Sequence, residues 1–324
     1  MIRSALIGTL ICSLAGPALA REPLLNPPID CTLGESCYIQ NFVDTDPSHG
    51  AADFTCGSLT YDGHKGTDFA LPTLAAMQAG VDVRPAAPGT VLAIRDGMED
   101  HLQFGPDAPD VTGRECGNGL VIDHGDGWTT QYCHMAKGSI SVIKGQRVTK
   151  GTTLGQVGLS GQTQFPHVHL TVRHKGQVVD PFNPRGLIAC GEDAPRGDTL
   201  WQNPIAYQAG GMISVGVWDA VPDYDAIKAG KVNADALPAT SPALVVFGYA
   251  FGARAGDTMR LTLTGPKGEV VSQDMALNKT QALLFRASGK RGTAWPTGTY
   301  KAEATLLRDG TPIDSMTRDI EIVN

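Results

Sequence analysis

Residues Pro166–His174 read PHVHLTVRH, and the period of this stretch decides what the chain builds here. Val168, Leu170 and Val172 alternate with His167, His169, Thr171 and Arg173. A repeat of two is the signature of a β-strand, because successive side chains point to opposite faces. The apolar face belongs to a core. The other face carries two imidazoles side by side, which either approach one metal ion or form an ordinary polar strand surface.

Outward from this strand, residues 85–185 keep the same character. PGTVLAIRDG, GNGLVIDHGDG, WTTQYCHM and QRVTKGTTLGQVG are short runs rich in β-branched residues and punctuated by glycine. They predict antiparallel strands and tight turns rather than βαβ units. Gly97–Gly117 reads as a surface insertion between two strands, with His101 a solvated loop residue. Upstream, GHKGTDFALP (residues 63–72) places His64 and Asp68 four apart. Its glycines and proline exclude a helix, so the pair sits on a loop entering a short strand. In QYCHM, Tyr132 and His134 are two apart and are expected to share a strand face. His64, Asp68, His134, His167 and His169 thus fall at strand or loop positions of one predicted domain. Three protein ligands and an open position for water are the arrangement of catalytic zinc, whereas a structural site closes with a fourth ligand.

HKGTD, IDHGDG with QYCHM, VTKGTTLG and HVH occur in that order. In this the chain resembles the lysostaphin-type, LytM-like zinc metallopeptidases, the peptidoglycan endopeptidase family, over about residues 56–190. The resemblance implies a mainly β fold, with an antiparallel-sheet LytM-like (duplicated hybrid motif) catalytic domain. It implies Zn2+ held by His64, Asp68 and His169, with His134 and His167 as catalytic groups beside the metal. The implied substrate is the peptide cross-link of bacterial peptidoglycan. His124, in the IDHGDG turn, matches a position read as structural. Two departures bear on the shape of the groove: Gln164 and Phe165 replace a small pair before Pro166, and Thr171 stands where an acidic residue commonly follows. An exported zinc endopeptidase acting on protein, and a non-catalytic cell-wall-binding or amidase-regulating protein, are the alternatives.

Residues 205–324 contain neither cysteine nor histidine. In MRLTLTG and TYKAEATLL one face is apolar and the other polar, with turns at GPKGE, WPTGT and RDGTP, so a C-terminal β-sandwich accessory domain is expected. Residues 191–204 read as the linker and 21–55 as an N-terminal extension, with His49 solvated within it. Residues 1–20 carry Arg3, a short apolar run and Ala18-Leu19-Ala20, the pattern of a cleaved signal peptide. That predicts a periplasmic or secreted product. Six cysteines then remain, an even number suited to disulfides. Of fifteen pairings, spacing favours Cys31–Cys37, Cys116–Cys133 and Cys56–Cys190. A net charge of -7 argues against nucleic-acid partners, and no later segment is apolar enough to span a bilayer. The sequence leaves the oligomeric state, the bond cleaved and the ligand of the second domain open.

Overall fold

A computed structural model describes residues 22–105, 107–187, 190–191, 198–232 and 234–324. The signal-peptide stretch and part of the expected linker lie outside these residues. In chain order the first ten strands are β1 (Tyr38–Asn41), β2 (Thr67–Ala70), β3 (Asp82–Val83), β4 (Gly89–Arg95), β5 (Asn118–Gly125), β6 (Trp128–Met135), β7 (Arg147–Val148), β8 (Gly155–Gln156), β9 (His167–His174) and β10 (Gln177–Val179). Eight of them form an antiparallel sheet in the order β1-β2-β9-β6-β5-β4-β7, with β10 also on β9, while β3 and β8 pair separately.

The period of two in β9 does what it predicts. Val168, Leu170 and Val172 are buried in the core with Phe69 of β2. Asp68 lies opposite His169 and Ala70 opposite His167, so the carboxylate and both imidazoles belong to the other face. Gly66 lets the loop come this close: a Cβ there would stand 2.5 Å from His169 Nε2 and 2.6 Å from the Leu170 carbonyl oxygen.

At His134 the period fails. Tyr132 is fully buried, and its hydroxyl accepts from the Ala86 N–H at 2.7 Å. His134 instead stands with the site histidines, its ring centroid 4.6 Å from that of His167. The expectation that Tyr132 and His134 share a face is therefore corrected. His134 has φ 63°, in the left-handed region, and this turn of the backbone at the end of β6 redirects its side chain.

Segment 22–55 is not a detached arm. β1 forms the edge of the sheet beside β2, and Tyr38, Ile39, Phe42 and Phe54 join the core. Three disulfides close, Cys31–Cys37, Cys56–Cys190 and Cys116–Cys133, in the pairing that spacing favoured.

The remaining strands are β11 (Gly211–Trp218), β12 (Ala236–Pro238), β13 (Ala243–Ala253), β14 (Thr258–Gly265), β15 (Gly268–Ala276), β16 (Gln281–Arg291), β17 (Gly298–Arg308) and β18 (Thr311–Val323). They make two sheets, β11-β13-β16 and β12-β18-β17-β14-β15, that enclose a second core. Met259, Leu261 and Leu263 of β14 and Ala302, Ala304 and Leu306 of β17 are all fully buried there. Among the described residues there are two short helices, α1 (Leu74–Gln78) and α2 (Tyr224–Ala229); α2 is capped by Asp223 and closed by Gly230 in the left-handed region.

The two regions also share apolar contacts. Phe247, Tyr249 and Phe251 of β13 pack into the core of the first sheet, with the Phe251 ring 4.6 Å from that of Tyr38. Gln40 Nε2 donates to the Ala282 carbonyl, and the Tyr207 hydroxyl donates to Asp53 Oδ2 at 2.8 Å. Among the described residues no helix is long and apolar enough to cross a membrane.

Candidate metal centre

The loop before β2 brings His64, β2 brings Asp68, the end of β6 brings His134, and β9 brings His167 and His169. All five side chains named from the sequence meet at one place. Asp68 Oδ1 lies 2.8 Å from His169 Nδ1, 3.2 Å from His64 Nε2 and 3.5 Å from His167 Nε2. His64 Nε2 and His169 Nδ1 are 3.2 Å apart. Among the described residues, two groups have donor atoms close enough to hold a metal ion: His64, Asp68 and His169, and His134, His167 and His169.

The nitrogens turned away from this centre are engaged, and their partners set the tautomers. A backbone carbonyl can only accept, so a ring nitrogen facing one must carry the proton. His64 Nδ1 donates to the Phe42 carbonyl at 2.6 Å, His134 Nδ1 to that of Ser160 at 2.8 Å, and His167 Nδ1 to that of Phe165 at 2.9 Å. Each of these rings is left with a lone pair on Nε2. His169 is held the other way, its Nε2 lying 3.0 Å from the Thr171 hydroxyl and its Nδ1 facing Asp68. Asn41 Nδ2 donates to Asp68 Oδ2 at 2.9 Å. Such outer contacts orient ligands and raise their basicity.

Asp68 is 2 % exposed, and a carboxylate that deep needs a cationic partner. Burial alone would push its pKa up, but the surrounding His64 and His167 rings and its hydrogen bonds hold it well below the usual range. Burial opposes charge on His64 too; there Asp68 outweighs it and the pKa is raised. His134 is driven well below the ordinary imidazole value, first by burial and then by the His167 and His169 rings. His167 is also lowered by burial, although Asp68 pulls against it. One carboxylate ringed by imidazole lone pairs is a donor set that fits a divalent transition metal.

Sequence reasoning missed Asn41 and the Phe42 carbonyl, since nothing local says that β1 will flank β2. Thr171 was already on the histidine face by its period. Phe165 stacks on His167 at 4.3 Å between centroids, so the departure before Pro166 places an aromatic ring against a site histidine. The remaining histidines lie outside the donor cluster, although His101 lines the groove beside it and His174 stacks on Trp128. His124 bridges the Pro88 carbonyl and the Thr130 hydroxyl, each at 2.8 Å, a structural role. His49 is exposed beside Asp62, and His101 is exposed with Nδ1 donating to the Leu102 carbonyl.

A buried histidine and carboxylate cluster on an antiparallel sheet is the kind of centre that metallopeptidases use. Residues 62–181 match the model of Peptidase family M23, so this part of the chain is an M23 peptidase domain of the LytM-like kind. Among curated relatives, the peptidoglycan DD-endopeptidase ShyA of Vibrio cholerae is 33% identical over 117 residues, 36% of this chain and 22% of that protein. The cell division protein DipM of Caulobacter vibrioides is 37% identical over 68 residues, 21% of this chain and 11% of that protein. The matches thus span about a fifth or less of the length of these relatives. A crystal structure of a zinc-containing peptidase from Vibrio cholerae is 26% identical over 45% of this chain and 39% of that one, with a TM-score of 0.28.

Proposed function

We propose that the protein is an exported zinc metalloendopeptidase that hydrolyses peptide cross-links of bacterial peptidoglycan. The observation that carries this is the convergence of four buried groups and the half-buried His169, with the free Nε2 atoms of His64, His134 and His167 directed inward, inside the segment that matches the peptidase family. Similarity to peptidoglycan endopeptidases supports the substrate class. Three disulfides, together with the N-terminal pattern, support a periplasmic or secreted location. We assign residues 56–190, together with β1, to the catalytic unit and 205–324 to a second unit.

His64, Asp68 and His169 are the proposed ligands. Their donor atoms approach one another at 2.8 to 3.2 Å, and their set includes the carboxylate that offsets the ion's charge. His134 and His167 are the proposed catalytic groups, and both line the groove above the centre together with the proposed ligand Asp68, whereas His64 and His169 do not. When bound, zinc supplies Lewis acidity and acidifies the attacking water. The chain's own residues do the rest. His134 and His167, both held neutral by burial, can accept a proton at Nε2 and return it to the leaving amine. Ser160 and Phe165 keep that nitrogen in its acceptor form through their carbonyls. Asn41 and Thr171 hold Asp68 and His169 in place.

The test is to incubate residues 21–324 with purified sacculi and identify the soluble products by mass spectrometry. New termini within cross-links, abolished by chelation and restored by zinc, are expected. Intact cross-links at full zinc loading would leave an endopeptidase acting on protein, or a wall-binding or amidase-regulating protein.

A further inference from the structure

The groove above the metal centre has a volume of about 1310 Å³, larger than the ~300–1,000 Å³ that takes a small ligand, and suited to an extended chain. The M23 segment alone does not build it. Phe165 and the inserted loop with Leu102 and Phe104 supply one part, while Tyr224 and Lys228 of α2 and Thr280–Leu283 at the start of β16 supply another. The second region is therefore lining as well as neighbour. The inserted loop and α2 also meet, with Lys228 Nζ 5.7 Å from the centre of the Phe104 ring and 4.8 Å from that of Tyr224.

Among the described residues that line the groove, Lys228 is the one lysine or arginine. Its ammonium pairs with Asp225 Oδ1 at 2.7 Å, and Asp225 is itself 79% exposed. That partner is weakly held, because an exposed ion pair of this kind contributes little. Two aromatic rings and a helix position the cation beside the groove, where a substrate carboxylate can replace or join Asp225. The other charged groups of the lining differ. Asp68 belongs to the metal centre, and Asp100 already accepts the backbone N–H groups of Lys137 and Leu159.

We propose that the C-terminal region forms a specificity wall of the substrate groove, and that Lys228 on that wall selects peptides carrying a carboxylate away from the bond cleaved. The proposal rests on the peptidase reading above. It makes the second region part of substrate choice rather than a tether.

The experiment uses the zinc-loaded full chain and two synthetic peptides of one sequence, one with free side-chain carboxylates and one with those groups amidated. Cleavage is read as the kcat/KM ratio of acidic to amidated peptide, and affinity is read separately by calorimetry. A ratio well above one is expected, falling roughly tenfold in Lys228→Ala, the order of one lost charge-assisted hydrogen bond. Lys228→Arg should retain the preference, as should the control Lys144→Ala on an exposed turn. Cleavage with no preference in the parent, or with the same preference in Lys228→Ala, overturns the wall and leaves the peptidase standing. Absence of cleavage with a binding preference that Lys228→Ala removes does the reverse. Absence of both cleavage and binding removes both.

Discussion

β9 in the first sheet and β17 in the C-terminal sheet are built on one pattern, yet only β9 contributes to the histidine and carboxylate cluster. Both alternate apolar and polar residues. In β17 the polar positions Lys301 and Glu303 lie outside the core, Thr305 being covered and paired with Ser315, and Tyr300, Ala302 and Ala304 fill it. In β9 the polar positions are also covered: His167 and Thr171 are buried, and His169 is only partly exposed. Coverage is the difference. A polar face left in water needs no partners, whereas a buried one must find them, and the groups that satisfy one another here are an acid and four imidazoles.

The largest effects should come from that covered face. His64→Ala and Asp68→Ala are expected to lose metal and activity together. His134→Ala and His167→Ala are expected to keep the metal and lose on the order of 100-fold or more in turnover. Metal analysis and initial rates on the four proteins decide this. Retention in His64→Ala with loss in His167→Ala would exchange the two histidine groups.

The contrast also supposes that two regions with separate cores still fold as one. Phe251 is 1% exposed and packs on Tyr38 across the junction. Phe251→Ala should cost about 3–5 kcal/mol. It should lower a single shared unfolding transition seen by both calorimetry and tryptophan fluorescence. Two separate transitions in the parent protein would show the regions to be independent.

A smaller effect should appear at Asp180, beside Asp53 at the same junction. Burial, helped by the Asp53 carboxylate, raises the Asp180 pKa to about 7. Oδ1 accepts from the Phe182 N–H, while Oδ2 has no partner among the described residues. Since the folded pKa exceeds the ordinary ~3.9, this group favours the fold in acid, and its contribution is lost as pH rises from about 4 through 7. Asp180→Asn should remove that loss and so gain on the parent by a few kcal/mol at pH 8 relative to pH 4, by order of magnitude. Urea midpoints at the two pH values measure it. Equal pH dependence in both proteins would mean that the carboxyl reaches solvent.

The smallest effect expected is at Asn41. Asn41→Ala removes the donor to Asp68 Oδ2 without touching a proposed ligand, and should weaken zinc roughly 10-fold. Competition with a chromogenic chelator reads the change, and an unaltered affinity would make Asn41 a packing residue only.

Much of this was legible in the sequence. The period of two in PHVHLTVRH marked the strand, its core face and the pairing of His167 with His169, because strand geometry is local and repeats. GHKGTDFALP announced a loop and short strand for the same reason, as did the alternation of β14 and β17. Six cysteines in an even set, spaced for one pairing, foretold the three disulfides.

What the tertiary structure decided lies at every point where one segment meets another distant in sequence. The left-handed backbone at His134 broke a rule that holds only within a regular strand. Asn41 and the Phe42 carbonyl reached the centre because β1 pairs with β2, a register set by shared burial rather than by either stretch alone. Lys228 likewise comes to line the groove where β13 packs on Tyr38 and its neighbours. Local alternation tells each residue which face it takes, but apolar faces are interchangeable as partners, and only their mutual fit in the folded chain selects which two are joined.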